Sequence, residues 1–214
     1  MSDKKKLIVL MGKTCSGKDT LLNSLLEDEK LKDVLRPAVT YTTRPKRSCE
    51  TDGVEHHFVN KEYYENLKSN DPESIVATYT IGSNIYFTTE DVLDKANIII
   101  LDIDSYDKIC QSDEYDVLGF KVNPSDMTRY ERGMKRAKFE HEQLAFLKRM
   151  VMEFIHEPSI DDYDNWGCGL CGDYYDVDPS YDHDRNFITK KVYEFMGITK
   201  GGTESMIYDE DFKF

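Results

Sequence analysis

Apolar residues along the chain fall into short unbroken runs, separated by stretches with helical spacing. Residues 6–11 (KLIVLM) form one such run, stopped by Gly12, which is the pattern of a strand buried on both faces. Behind it Leu21, Leu22, Leu25 and Leu26 recur at helical spacing and predict a helix over residues 19–28. Residues 96–104 (ANIIILDID) and 116–122 (DVLGFKV) read as two more buried strands, followed by helical patterns over 125–135 and 139–155. Strands alternating with helices predict an α/β fold around a central parallel sheet.

Between residues 37 and 90 the texture changes to Thr, Tyr, Val and His, with turn signals at Thr51-Asp52-Gly53 and Gly82-Ser83-Asn84. This predicts a small, mostly β lobe over 37–95 inserted into a core made of 1–36 and 96–214. From 157 to 184 there are nine acidic residues and no Lys or Arg, which suggests a surface excursion before a last helix over 186–196. A polar tail follows Gly201-Gly202.

Of 214 residues, 39% are hydrophobic and 32% charged, as in an ordinary globular protein. The net charge of −13 argues against general binding to nucleic acid or an anionic membrane, both of which need a cationic face. The apolar runs are too short to span a bilayer, and Lys4-Lys5-Lys6 lead straight into a strand pattern, so a cytoplasmic protein is expected. Five irregularly spaced cysteines (Cys15, Cys49, Cys110, Cys168, Cys171) are not a disulfide framework and fit a reducing compartment. Cys168-Gly169-Leu170-Cys171 has zinc-site spacing, but His183 is its one nearby downstream ligand candidate, so the zinc signal is weak.

The most specific local pattern is Gly12-Lys13-Thr14-Cys15-Ser16-Gly17-Lys18-Asp19-Thr20, a G-x-x-x-x-G-K sequence between a predicted strand and a predicted helix. Gly12 and Gly17 let the backbone curl so that the amides of Thr14, Cys15 and Ser16 can face phosphate oxygens. The helix N-terminus adds partial positive charge, and Lys18 a full one for the β- and γ-phosphates of ATP. Asp19 stands where a Mg²⁺-binding hydroxyl is usual, with Thr20 one place later. A carboxylate there requires Mg²⁺ between itself and the triphosphate, directly or through water.

Downstream runs Thr42-Thr43-Arg44-Pro45-Lys46-Arg47-Ser48-Cys49-Glu50-Thr51-Asp52-Gly53-Val54-Glu55-His56-His57-Phe58-Val59, and later Leu101-Asp102-Ile103-Asp104. With the phosphate loop, these resemble the guanylate kinase family over about residues 5–150. The resemblance implies a core with the phosphate loop, a monophosphate-binding lobe, and a helical lid at about 130–150. The reaction it implies is transfer of the γ-phosphoryl group of ATP, with Mg²⁺, to GMP or dGMP. Arg44 and Arg47 match the pair that grips the monophosphate, Tyr86 a phosphate-holding tyrosine, and Thr88 the hydroxyl two places on. His56 stands where the family has another tyrosine, and its protonation would make binding pH-sensitive. Thr40 matches a base-reading hydroxyl. Asp102 and Asp104, two apart at a predicted strand end and so on one side, match residues of the Mg²⁺ side and the guanine edge; the alternative is a pair of helix-capping carboxylates, with Asp104 beginning the next helix.

Arg132, Arg136 and Arg149 resemble lid arginines that reach the transferring phosphoryl group, although the family's Arg-Gly hinge is replaced by Arg136-Ala137. The family's base-reading glutamate aligns to Ala77, with Glu73 four residues earlier, so the resemblance also implies a looser base preference. A different class of reading is a non-catalytic scaffold that grips phosphopeptides. Such domains typically lack the loop lysine, which is present here as Lys18. The sequence leaves monomer and homodimer open.

Overall fold

The core is built outward from β1 (Lys5–Met11), in a computed structural model that describes residues 4–48, 50–155 and 174–198. β1 pairs in parallel with β6 (Ile98–Ile100) on one side and with β7 (Tyr115–Val122) on the other. β8 (Tyr174–Val177) adds to the far edge of β7, completing a parallel sheet in the order β6-β1-β7-β8. Ile8 and Leu10 pack with Leu21 and Leu25 of α1 (Lys18–Glu27) and with Ile188 and Val192 of α7 (Asp182–Met196). Leu7, Val9 and Met11 face the other way, onto Tyr106 and Ile109 of α4 (Ile103–Cys110). Burial on both faces explains why β1 reads as an unbroken apolar run rather than an alternating one.

A second sheet has the order β3-β2-β5-β4 and comprises β2 (Tyr41–Thr42), β3 (His57–Phe58), β4 (Ile75–Ile81) and β5 (Asn84–Thr89). β4 and β5 form a hairpin turning at Gly82-Ser83, one of the two turns expected from sequence. One face of this sheet is covered by α2 (Lys61–Asn70), where Tyr64 packs on Phe87 at 5.0 Å and Tyr41 stacks on Phe87 at 5.0 Å. The other face carries Ala77, Tyr79, Tyr86 and Thr88. Ala77 joins the apolar cluster of Leu101 and Tyr106, so the two sheets share a core. α3 (Glu90–Leu93) leads back to the parallel sheet, and α5 (Asp126–Arg136) and α6 (Glu140–Ile155) follow β7.

Several sequence expectations change. The strand expected over 96–104 ends at Ile100, because Asp102 caps a helix, its carboxylate accepting from Ser105 N–H at 2.8 Å. Asp102 and Asp104 therefore sit at a helix start and not on one side of a strand. The expected mostly-β segment also holds the ten-residue helix α2, capped by Asn60. Its exposed face is polar and its inner face aromatic, which reads as strand-like composition. Part of the acidic stretch, Tyr174–Val177, is an edge strand of the core sheet and not a surface excursion. The last helix starts at Asp182, four residues before the expected position. Cys168 and Cys171, with the zinc question they raise, lie outside the described residues, as does Cys49.

Candidate active site

The turn out of β1 uses backbone conformations closed to most residues. Gly12 has φ 145°, and a Cβ there would lie 2.4 Å from the Val122 carbonyl oxygen; Gly17, at φ 107°, precedes the first residue of α1. Cys15 is the one described non-glycine residue at positive φ (60°), a left-handed conformation imposed by the loop. No side chain caps α1, so its first-turn amides remain available to an anion. Lys18 folds over the loop and donates to the carbonyls of Gly12 (2.7 Å) and Lys13 (3.1 Å). Burial pushes its ammonium pKa down, opposed by the charge of Asp19. Ser16 Oγ is buried without a partner beside it.

α5 and α6 hold this loop by its backbone. Arg129 Nε donates to the Thr14 carbonyl at 3.0 Å, and the Thr14 N–H donates to Glu153 at 2.8 Å. Arg129, only 3% exposed, also pairs with Glu153 and with Asp126 at 2.6 Å. Arg132 donates to the Ser16 carbonyl at 2.7 Å and to Ser180 Oγ at 2.9 Å. Arg136 is exposed. Arg149 is half-buried with its Nε unpartnered, and its pKa is lowered by burial first and then by Arg136 and Arg47. Cys15 of the phosphate loop and Tyr86 of the second sheet are also within its electrostatic reach.

On that sheet, Arg44 makes a two-pronged ion pair with Glu50 at 2.9 and 2.8 Å and lies over the Phe58 ring at 5.4 Å. Its Nε is buried and unpartnered. Arg47 is exposed and donates its backbone N–H to the same Glu50 at 2.8 Å. One carboxylate thus organises both arginines. The Arg44 guanidinium holds the Glu50 carboxyl down to about 2. A folded-state pKa below the unfolded value stabilises the fold fully above about 4.5, and that stabilisation is lost as pH falls toward 2. The melting-temperature gap between wild type and Glu50→Gln should therefore be constant from about pH 8 to 5 and close on further acidification. A gap that widens in acid would contradict this pairing.

His56 Nδ1 lies 3.0 Å from Thr40 Oγ1. Burial, and then the charge of Arg44, push its pKa down, so the imidazole is neutral at pH 7. Tyr86 is 8% exposed, and Thr88 Oγ1 is buried with no partner. Asp19, Thr20 and Asp104 are exposed, at the starts of α1 and α4. Both Asp102 oxygens accept from Ser105, at 2.8 and 3.0 Å. Asp19 and Asp102 both act electrostatically on Tyr79.

Ala77 is buried and registers opposite Thr88, whereas Glu73 is exposed in a short turn (Pro72–Ser74) ahead of a bulge. Glu73 therefore does not take the place opposite Thr88. Sequence reading gave no role to Arg129, Glu50, Glu153 or Tyr79. Arg129 was open to detection, since Arg129, Arg132 and Arg136 share one helical face.

The family model for guanylate kinase matches residues 4–158, most of the chain. The chain belongs to the guanylate kinase family. This is a family of nucleoside monophosphate kinases, and its match includes the phosphate loop, the second sheet and the helices α5 and α6 described above. The guanylate kinase of Mycoplasmoides gallisepticum is 31% identical over 170 residues, covering 75% of this chain and 85% of that protein. That of Schizosaccharomyces pombe is 36% identical over 105 residues, covering 47% of this chain and 50% of that protein. Among solved structures, a guanylate kinase from Anaplasma phagocytophilum superposes with a TM-score of 0.52 at 20% identity, covering 92% of this chain and 87% of that one, a likeness of fold. No helix among the described residues is long and apolar enough to cross a membrane.

Proposed function

We propose that this chain transfers the γ-phosphoryl group of ATP, with Mg²⁺, to GMP or dGMP, yielding ADP and the nucleoside diphosphate. The observation that carries the reading is the place of Arg149. Its Nε is buried without a partner, and Cys15 of the phosphate loop and Arg47 and Tyr86 of the second sheet all act on its charge. A cation shared between two anion-holding surfaces suits a phosphoryl group passing from one to the other.

In this reading residues 37–95 are the monophosphate lobe, about 130–150 the lid, and the remainder the core. Gly12, Thr14, Cys15, Ser16, Gly17, Lys18 and Thr20 form the ATP cradle. Arg44, Arg47, His56, Tyr86 and Thr88 hold the acceptor phosphate end, and Thr40 and Asp104 the base end. The unpartnered buried groups Ser16 Oγ, Arg44 Nε, Thr88 Oγ1 and Arg149 Nε lie along this path and fit an occupant rich in oxygen and nitrogen acceptors and donors.

The donor set also fits Mg²⁺. No cluster of three or more His, Cys, Asp or Glu exists among the described residues, and Mg²⁺ needs only one or two carboxylates beside phosphate oxygens and water. Asp19 and Asp102 would hold it, directly or through water, and when bound it neutralises charge on the phosphates. The acceptor phosphate is itself the nucleophile, so the protein's work is orientation, charge neutralisation and exclusion of water. The reading places the protein in the cytoplasm, where ATP and monophosphates are available.

The direct test is ADP release from ATP and Mg²⁺ with and without GMP. Release that depends on GMP is expected. Phosphopeptide binding without GMP-dependent turnover would instead establish a non-catalytic scaffold.

A further inference from the structure

We propose that Tyr79 is a further substrate-contacting residue of the acceptor site, its hydroxyl donating a hydrogen bond to the phosphate of the bound monophosphate. This rests on the proposed function and adds a residue that neither the motifs nor the resemblance indicates.

The argument starts from strand register. Side chains two apart on a strand share a face, so Ala77 and Tyr79 of β4 point the same way. Their partners on β5 are Thr88 and Tyr86 respectively. Tyr79 therefore belongs to the layer formed by Tyr86 and Thr88. The two tyrosine rings lie parallel, 5.0 Å between centroids and 5° between planes. This stacking fixes the direction of the Tyr79 phenol at little entropic cost.

Charges around that phenol locate it further. Besides Tyr86, the groups acting on it are Asp102 and Asp19 on the metal side and Arg44 on the acceptor side. The ring thus lies within electrostatic range of Arg44 and of the two carboxylates. Its hydroxyl makes no hydrogen bond with the described residues, so the stack leaves a donor uncommitted. Burial and the neighbouring carboxylates raise its pKa, so it remains a protonated donor throughout the working pH range. A phenylalanine would stack on Tyr86 equally well. What the tyrosine adds is a neutral donor in the layer of Tyr86 and Thr88, within the electrostatic range of Arg44.

The test is steady-state kinetics of Tyr79→Phe, with GMP varied at saturating ATP and Mg²⁺, then ATP varied at saturating GMP. Losing a hydrogen bond to a charged group should lower kcat/KM for GMP by on the order of 10-fold or more. The KM for ATP should stay within about twofold, and the melting temperature should match wild type, because the ring stack is kept. Tyr79→Ala, which also loses the stack, should lower the melting temperature as well as kcat/KM. Unchanged kcat/KM for GMP in Tyr79→Phe would overturn the proposal and leave Tyr79 as a support for Tyr86. Equal losses toward GMP and ATP would also overturn it, since they would indicate a general distortion. If wild type itself turns over no monophosphate, the proposed function falls and takes this inference with it. Active wild type with an unaffected variant overturns the inference alone.

Discussion

Lys18→Ala is expected to lower turnover by on the order of 10²-fold or more while leaving the fold intact, as for loss of a single preorganised charge donor. Lys18 is partly buried in the loop, and among the described residues its ammonium pairs with the carbonyls of Gly12 and Lys13 alone. Those are weak partners for a full charge whose pKa burial has already lowered. An ammonium held in this way gains far more from a triphosphate than from two carbonyls. Because its contribution grows as charge develops on the transferring group, the loss should fall on kcat and not only on ATP affinity. Lys18→Arg should not restore activity, since a planar fork cannot follow a point charge through the loop. The check is kcat under saturating ATP and GMP, with far-UV circular dichroism and a thermal melt to confirm folding. Near-normal kcat in a folded Lys18→Ala protein would sink the assignment of this loop.

How far the sequence reveals this site depends on how local each feature is. Gly12, Gly17 and Lys18 act through their own backbone turn and the helix behind it, so their spacing alone conveys their geometry. Arg44, Arg47 and Glu50 lie within one short segment, and the structure brings them together through that segment's own ion pairs. Asp102 was misplaced because the apolar run before it reads as strand, whereas a local side-chain bond to Ser105 starts a helix. Arg129 and Glu153 are 24 residues apart and meet only because α5 and α6 fold back on each other over Thr14. No sequence period announces such a contact. Tyr79 is intermediate: strand alternation gives its face, but its neighbour Tyr86 depends on the hairpin register.

Base choice carries the second large effect, and it turns on Ala77. Guanine presents O6 as an acceptor and N1–H and the 2-amino group as donors, so strong discrimination calls for carboxylates opposite those donors. Here the place opposite Thr88 is a buried alanine within an apolar cluster. The remaining base-end groups are Thr40, bonded to His56, and the exposed Asp104. A hydrogen bond to a charged group contributes roughly 1.5–3 kcal/mol, or about 10- to 150-fold in discrimination. Without a carboxylate at position 77, GMP should exceed IMP, which lacks the 2-amino group, by less than about 10-fold in kcat/KM. Asp104→Asn should bring that ratio close to unity, because Asp104 is then the one carboxylate left at the base end. The measurement is a panel of ribo- and deoxy-monophosphates with saturating ATP and Mg²⁺. A GMP preference over IMP above about 100-fold would contradict this account and require an acceptor at the base edge other than Asp104. Activity on another base alone, with none on GMP, would keep the kinase chemistry and overturn the guanine assignment.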